Sequence, residues 1–352
     1  MRKLDRYISR NVLGSTVLVL LILVFLEALF SFLGQLENVR GNYQSVDALL
    51  YTLLMIPRKL YELIPVSALV GCLVGLGSMA SNSELVVMRA AGISLWRMLA
   101  SVMKPALLLI LTGLLLGEYL APMTEQIAET RRAIARSVDG SYSGEGFWHR
   151  EGNEYMYFNA VEPNGVLYGV SRYEFDEDMV LQESSFAKRA IYQADHWLLE
   201  EVTTLKRDGD RFVTEQQLIE PWETNLTTTL LKVVVVKPEA LSISGLMTYS
   251  DYLAQQGLNS GEYSLAFWEK VLQPLSILSL VLVGISFVFG PLRSVSMGYR
   301  VFAGVITGVV FMVVQNLMGP SSLVFGFPPA ISVLMPIVVC LVIGAVMLKK
   351  AA

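Results

Sequence analysis

Two histidines, His149 and His196, and two cysteines, Cys72 and Cys340, are all the imidazole and thiol in the 352 residues of this chain. Both cysteines fall inside apolar runs, so neither a disulfide framework nor a cysteine-ligated metal site is available. Ser, His and Asp occur in the middle of the chain, but none stands in the local setting of a catalytic nucleophile. The sequence holds no G-x-x-x-x-G-K-[ST], no H-E-x-x-H and no G-x-S-x-G, and so lacks a phosphate-cradling loop and the zinc-protease and hydrolase signatures. The chain is therefore expected to be no enzyme, and any ATP it depends on has to be bound by another polypeptide.

What remains is recognition chemistry. Ser81-Asn82-Ser83-Glu84-Leu85-Val86-Val87-Met88-Arg89-Ala90-Ala91-Gly92 predicts a short helix, because Ser81 and Glu84 have capping-box spacing and Gly92 can end the helix in a left-handed conformation. One reading is a capped connector with Leu85 and Met88 on the membrane interface. The other is a coupling helix in the cleft of a nucleotide-binding subunit, with Leu85 and Met88 as anchors and Glu84 facing a basic residue. Arg40, Arg131, Arg132 and Arg136 suit bidentate phosphate binding, as at a lipid headgroup, yet Glu129 and Arg132 also have the i, i+3 spacing of a local ion pair. Glu27 lies in an apolar run, where a bare carboxylate costs roughly 2.5–3.5 kcal/mol, so it faces protein, water or a cavity. Phe25, Leu26, Phe30, Leu33, Leu69 and Leu317 could line a path for acyl chains or simply pack against lipid and helices. Glu62 and Glu118 are assigned no role.

The elements that must hold these residues are mostly membrane helices. Hydrophobic residues make up 53% of the chain and charged ones 16%, with a mean hydropathy of +0.51, too apolar for an ordinary soluble protein. A span needs about 20 apolar residues. Val12 to Leu36, Leu63 to Ser83, Leu99 to Pro122 and Val271 to Leu292 qualify, and Val301 to Leu348 is long enough for two, divided by Gly319-Pro320 and Phe327-Pro328-Pro329. The run after Met1 to Arg10 is too long for a signal peptide, so the N-terminus is expected to be retained. Lys and Arg of short loops gather on one side: Arg2, Lys3, Arg6, Arg10, Arg89, Arg97, Lys104, Arg293, Arg300, Lys349 and Lys350, against Arg40, Arg58 and Lys59 on the other. Both termini are then cytoplasmic by the positive-inside rule, and the middle of the chain is extracytoplasmic, which in a Gram-negative cell means periplasmic.

That middle region, residues 141–240, is acidic, with nine basic against eighteen acidic side chains, and nothing in it suggests nucleic acid. Its period is two: Val166, Tyr168 and Val170 alternate with Leu167, Gly169 and Ser171, and Ala190, Tyr192 and Ala194 alternate before a break at Asp195. Turn signals stand at Pro163-Asn164-Gly165 and Asp208-Gly209. A sandwich, barrel or jelly roll is expected. Residues 123–140 read as a polar connector helix and the stretch after Pro238 as the return. The organisation is thus 1–122 with three spans and the short helix near 82–92, then 123–140, 141–240, and 241–352 with three more spans.

Leu4-Asp5-Arg6-Tyr7, Ser83 to Met88, Gly117-Glu118 with Ala121-Pro122, Leu241 to Leu246, Gln273-Pro274-Leu275 and Phe289 to Ser294 occur in an order that resembles the LptF/LptG permeases of lipopolysaccharide export, the LptG branch most closely. The resemblance implies a membrane α+β fold, six transmembrane helices with a periplasmic β-jellyroll inserted between the third and fourth, in the Gram-negative inner membrane. It also implies an LptF partner, an LptB dimer that binds ATP and Mg, and delivery of lipopolysaccharide through the jellyrolls to LptC and LptA for outer-membrane biogenesis. It places ATPase coupling at Ser83, Glu84, Leu85, Val87, Met88 and Arg89, and a basic, substrate-facing position at Arg132. Where relatives carry Lys after the first span, this chain has Glu37 and Asn38, with Arg40 nearby. The alternatives are a mechanotransmission subunit or an envelope-assembly scaffold with a periplasmic β-domain.

Overall fold

A computed structural model of the chain describes residues 2–37, 39, 43–137, 147–161, 166–176, 178–193, 196–209, 211–224, 238–255, 260–290 and 295–351. It divides into two compact units, one of Met1–Phe30, Ile56–Pro122 and Leu241–Ala352, the other of Ser31–Met55 and Met123–Ala240. Six helices are long and apolar enough to cross a membrane. They are α1 (Arg2–Leu36), α2 (Ser45–Ser81), α4 (Leu95–Leu115), α7 (Gly261–Phe289), α8 (Met297–Phe325) and α9 (Pro329–Ala351). Between them lie α3 (Glu84–Ala90), a π-helical segment (Leu116–Leu120), α5 (Ala121–Ser137) and α6 (Ile243–Gln255).

Several helices begin earlier than the apolar runs, α1 at Arg2 and α7 at Gly261 among them, and two differences change the reading of the sequence. α2 begins at Ser45 rather than near Leu63, so Arg58 and Lys59 stand inside a helix and not in a loop. α8 runs through Gly319-Pro320 and stops at Gly326, which takes the left-handed conformation at φ 72°. Lipid offers no water to a freed carbonyl, so a helix interrupted there would leave backbone groups unanswered. Around Pro320, Ser321 and Ser322 return hydroxyl bonds to the Leu317 and Gly319 carbonyls at 2.6 and 2.7 Å.

The bundle core centres on α2, whose Leu69, Cys72, Leu73 and Leu76 are wholly buried among residues of α1, α3, α4, α7, α8 and α9. Lipid tails are as apolar as leucine, so close backbone approach and polar links between helices replace the hydrophobic drive of a soluble core. Gly71 and Gly75 provide that approach: a Cβ on Gly71 would lie 2.3 Å from Thr16 Cα, and one on Gly75 would lie 2.9 Å from Val12 Cα. The Asn11 amide donates to the Gly75 carbonyl at 3.2 Å, and the Ser9 hydroxyl to the Ser101 carbonyl at 2.6 Å. Only the first half of α1 is docked in this way. Just 6% of its most apolar stretch is buried, against 72% for α2, and α8 is nearly as open at 17%.

In the second unit, six strands form one antiparallel sheet in chain order: β1 (Phe147–Glu151), β2 (Glu154–Val161), β3 (Leu167–Phe175), β4 (Leu181–Gln193), β5 (His196–Asp208) and β6 (Arg211–Trp222). The turn at Asp208-Gly209 joins β5 to β6, with Gly209 at φ 64°. Pro163-Asn164-Gly165, Ala194 and Asp195, and the stretch 225–236 assigned to the same domain, lie outside the described residues. The expected alternation in β3 fails at one point, because Leu167 and Val170, three apart, share the buried face. Ala187 and Ala190 of β4, and Leu199 and Val202 of β5, do the same.

The cause is a line of unpaired residues crossing the sheet. Pairing passes from Phe158↔Val170 to Ala160↔Tyr168, from Val170↔Ala187 to Tyr168↔Arg189, from Ala187↔Val202 to Arg189↔Glu200 and from Val202↔Gln217 to Glu200↔Ile219. Asn159, Gly169, Lys188, Glu201 and Leu218 are skipped together. Gly169 at φ 62° and Glu201 at φ 51° occupy the left-handed region there. A slip in one strand alone would turn its apolar residues to the wrong face. Shared by β2 to β6, the skip keeps the register and changes together which residues of these strands face a core that includes Trp197, Phe158 and Trp222. Gly169→Ala should lower the thermal unfolding midpoint read by tryptophan fluorescence. The left-handed conformation costs a non-glycine residue about 1–2 kcal/mol, and the new Cβ would lie 2.9 Å from Asn159 Cβ. An unchanged midpoint would show that the sheet does not depend on the left-handed conformation at Gly169.

Candidate functional site

The strongest candidate is the surface presented by α3, which the end of α2 and the start of α4 hold in place. α2 closes against α8: Arg300, almost wholly buried, donates to the Gly77 carbonyl at 2.8 Å and reaches the Ser81 hydroxyl at 3.5 Å. A cation at the last carbonyls of a helix is favourably placed against its dipole. The start of α4 closes against α1, where the Arg97 guanidinium and the Ser101 hydroxyl both donate to Asp5, each at 3.3 Å. Neither link was legible from local spacing, because their partners lie 219 and 92 residues apart in the chain.

The predicted capping box does not form. Ser81 remains in α2, with its hydroxyl on the Gly77 carbonyl at 2.8 Å, and the chain turns at Ser83, at φ 63°, without a side-chain cap. Glu84 is thereby released from capping and faces the Tyr7 hydroxyl. The helix end is as expected. Gly92 adopts φ 83°, and N–H bonds run from Gly92 to the Arg89 carbonyl and from Ile93 to the Met88 carbonyl, the pattern of a Schellman motif.

This frame decides which residues of α3 a partner can touch. Leu85 and Met88, read from the sequence as anchors, are turned into the chain's own core. A helix with 3.6 residues per turn that buries residues 85 and 88 presents its intervening positions outward. Val87 is accordingly 65% exposed, and Val86, Arg89 and Ser83 are exposed beside it. The exposed set is thus Ser83, Val86, Val87 and Arg89, with the half-buried Glu84 at its edge against Tyr7, a small apolar patch edged by one charge of each sign.

The arginine group is less uniform than its sequence suggests. Within the second unit, Arg132 pairs with Glu129 at 2.5 Å and stacks over the Tyr51 ring at 4.8 Å, while the Tyr51 hydroxyl donates to Glu129 at 2.8 Å. The cavity beside them, lined also by Tyr43, Asp47 and Arg131, holds about 20 Å³, room for one water and too little for a phosphate. Arg131 is exposed. Arg40 lies outside the described residues; Arg136 falls on α5, with its side chain outside the described set.

Of the candidate acyl-facing residues, Phe25, Leu26, Phe30, Leu33 and Leu317 are exposed. Leu69 is 0% exposed, and its contacts are the packing contacts of α2. Glu27 is paired: Lys59 bridges it at 3.0 Å and Glu62 at 3.3 Å, and Arg58 holds Glu62 at 2.7 Å. Among the described residues no cluster of three or more His, Cys, Asp or Glu side chains could hold a metal ion.

A substitution pair tests the orientation of α3. Val87→Asp should leave the thermal midpoint of the purified chain within about 0.5 kcal/mol of its original stability. Met88→Asp places an unpaired carboxylate in the core and should cost about 3 kcal/mol or more. Equal effects would contradict the assignment of inner and outer faces.

The family model described as "Lipopolysaccharide export system permease LptF/LptG" matches residues 6–350 of this chain. The chain is 40% identical over 338 residues to the lipopolysaccharide export system permease protein LptG of Escherichia coli K12, covering 95% of this chain and 94% of that protein. With the LptG of Haemophilus influenzae it shares 37% identity over 337 residues, again 95% of this chain and 94% of the relative.

Proposed function

This chain belongs to the LptF/LptG family of lipopolysaccharide export permeases, and from that premise we propose that it is one permease half of a lipopolysaccharide-exporting ABC transporter. The membership over residues 6–350 carries the proposal. It is supported by an exposed docking surface on α3 and by a sequence that lacks a phosphate-binding loop of its own. In this reading a dimeric LptB-type ATPase binds ATP and Mg and engages α3 from the cytoplasm, where both termini also lie. An LptF-type partner covers the open faces of α1 and α8. The sheet stands in the periplasm and passes lipid onward to LptC and LptA.

Each part of the chain has a task in that cycle. ATP-driven closure of the ATPases displaces α3, and Leu85 and Met88, packed in the bundle core, carry the displacement into α2, α4 and α7. The exposed side chains Phe25, Leu26, Phe30 and Leu33 of α1, with Leu317 of α8, offer acyl chains an apolar surface as the intramembrane cavity narrows. Removing those chains from the bilayer costs about 0.8 kcal/mol per CH₂, so lift requires a continuous apolar path and repeated cycles. Arg131, exposed and next to the paired Arg132, is the better placed of the two for a headgroup phosphate. Among the described residues β1 and β6 are the edge strands, and an edge offers a row of backbone groups for strand addition by the next β-domain.

Glu84→Arg tests the docking assignment, because it reverses the one acidic charge at the edge of the α3 surface and leaves the buried Leu85 and Met88 in place. The variant should express and fold, but co-purify with the ATPase at least about tenfold less well or fail to drive lipid release, as a lost buried charge contact of about 2 kcal/mol or more would require. Normal assembly and normal lipopolysaccharide release from proteoliposomes would remove Glu84 from the coupling surface.

A further inference from the structure

Glu118, to which the sequence assigned no role, lies in the π-helical segment Leu116–Leu120, a geometry that often marks functional positions. The segment's backbone is pressed against α2, where a Cβ on Gly117 would lie 2.5 Å from the Tyr61 ring. The Glu118 carboxylate points to the first turn of α6. One oxygen accepts the Ile243 N–H at 2.8 Å, and the other accepts the Ser244 hydroxyl at 2.6 Å and the Ser244 N–H at 3.4 Å. Around this contact the Lys270 ammonium of α7 donates to the Leu241 carbonyl, and the Gln273 amide of α7 donates to the Tyr61 carbonyl at 2.9 Å. One polar knot therefore joins α2, the end of α4, α6 and α7.

The knot does more than α6 needs in order to be a helix. Ser242 already caps it, accepting the Gly245 N–H at 3.1 Å, as an N-cap serine should. Glu118 is an additional partner, more than a hundred residues away in the chain, for the N–H groups that a local cap leaves open. Its two sides are also the two places where the chain leaves the bundle for the sheet, through Ala121, and returns from it, through Pro238. Both Gly117-Glu118 and Leu241 to Leu246 are among the segments that carry the family resemblance, and here they are in contact.

We propose that Glu118 is a positioning residue that passes movement of α4 to α6, so that a displacement of the spans reaches both connectors of the β-domain together. Glu118 touches neither nucleotide nor lipid in this role. A rigid joint delivers the work of ATP hydrolysis to the connectors, whereas a broken one lets the spans cycle without delivering lipid. The inference rests on the permease reading above.

The test uses the complete complex of this chain with its partner permease and ATPase dimer, in proteoliposomes loaded with lipopolysaccharide. It measures ATP hydrolysis, lipid released, and hydrogen exchange at residues 243–246. In Glu118→Ala, hydrolysis should stay within about twofold of the unaltered complex while lipid released per ATP falls about tenfold, within the range of a typical coupling free energy, and the Ile243 and Ser244 amides should exchange faster. Glu118→Gln, which keeps an acceptor oxygen, should retain most delivery and provides the comparison should the alanine variant fail to assemble. Unchanged lipid per ATP in Glu118→Ala would overturn the proposal. So would a parallel fall of hydrolysis and delivery in an assembled complex, or a glutamine variant as defective as alanine. Absence of delivery from the unaltered complex would instead overturn the permease reading, and the coupling role with it.

Discussion

A bilayer core cannot hydrogen-bond, so every backbone polar group carried into it has to be answered by the chain itself, and charged side chains there need partners too. That constraint organises the helical unit. Lys59 lies between Glu27 and Glu62, Arg300 is set on the last turn of α2, and Gln273 is bonded to the backbone at Tyr61. The Lys59–Glu27, Arg300–Gly77 and Gln273–Tyr61 links each join two helices rather than two neighbours on one helix, and each therefore fixes a relation between spans. With no hydrophobic drive between helices in lipid, these links and the close approach at Gly71 and Gly75 give the bundle its particular arrangement.

The same links explain how one small helix can serve as a handle. α3 has only seven residues, too few to be stable alone, and is held by the bundle on its Leu85 and Met88 side. The side left over is small, exposed and of mixed charge, which suits the docking role that the proposed function assigns to it. α1 shows the opposite economy: its first half is docked and its outer half is left bare. The bare half holds the aromatic and leucine side chains that the proposed function assigns to acyl chains.

In the β-domain the governing constraint is registry. A change of buried face that keeps the pairing needs neighbouring strands to skip a residue at the same level, and the line from Asn159 to Leu218 does this across β2 to β6. Left-handed backbone at Gly169 and Glu201 lies on that line. The result keeps small and aromatic side chains, Ala187, Ala190, Val202 and Trp197 among them, on one continuous apolar face.

Composition and length by themselves determined the number of spans and the inserted β-domain, because these depend on sums over many residues and survive local error, whereas the family was legible only in the order of specific matching segments. The helix end at Gly92 was also legible, since only glycine takes that conformation cheaply. Tertiary structure alone decided which side of α3 faces out, because Leu85 and Val87 are equally apolar and only the neighbouring helices distinguish them. It also released Glu84 from the capping box, moved Arg58 and Lys59 into a helix, and gave Glu118 its partners. Those outcomes depend on groups that are distant in the chain and adjacent in space, and no local pattern records such a pairing.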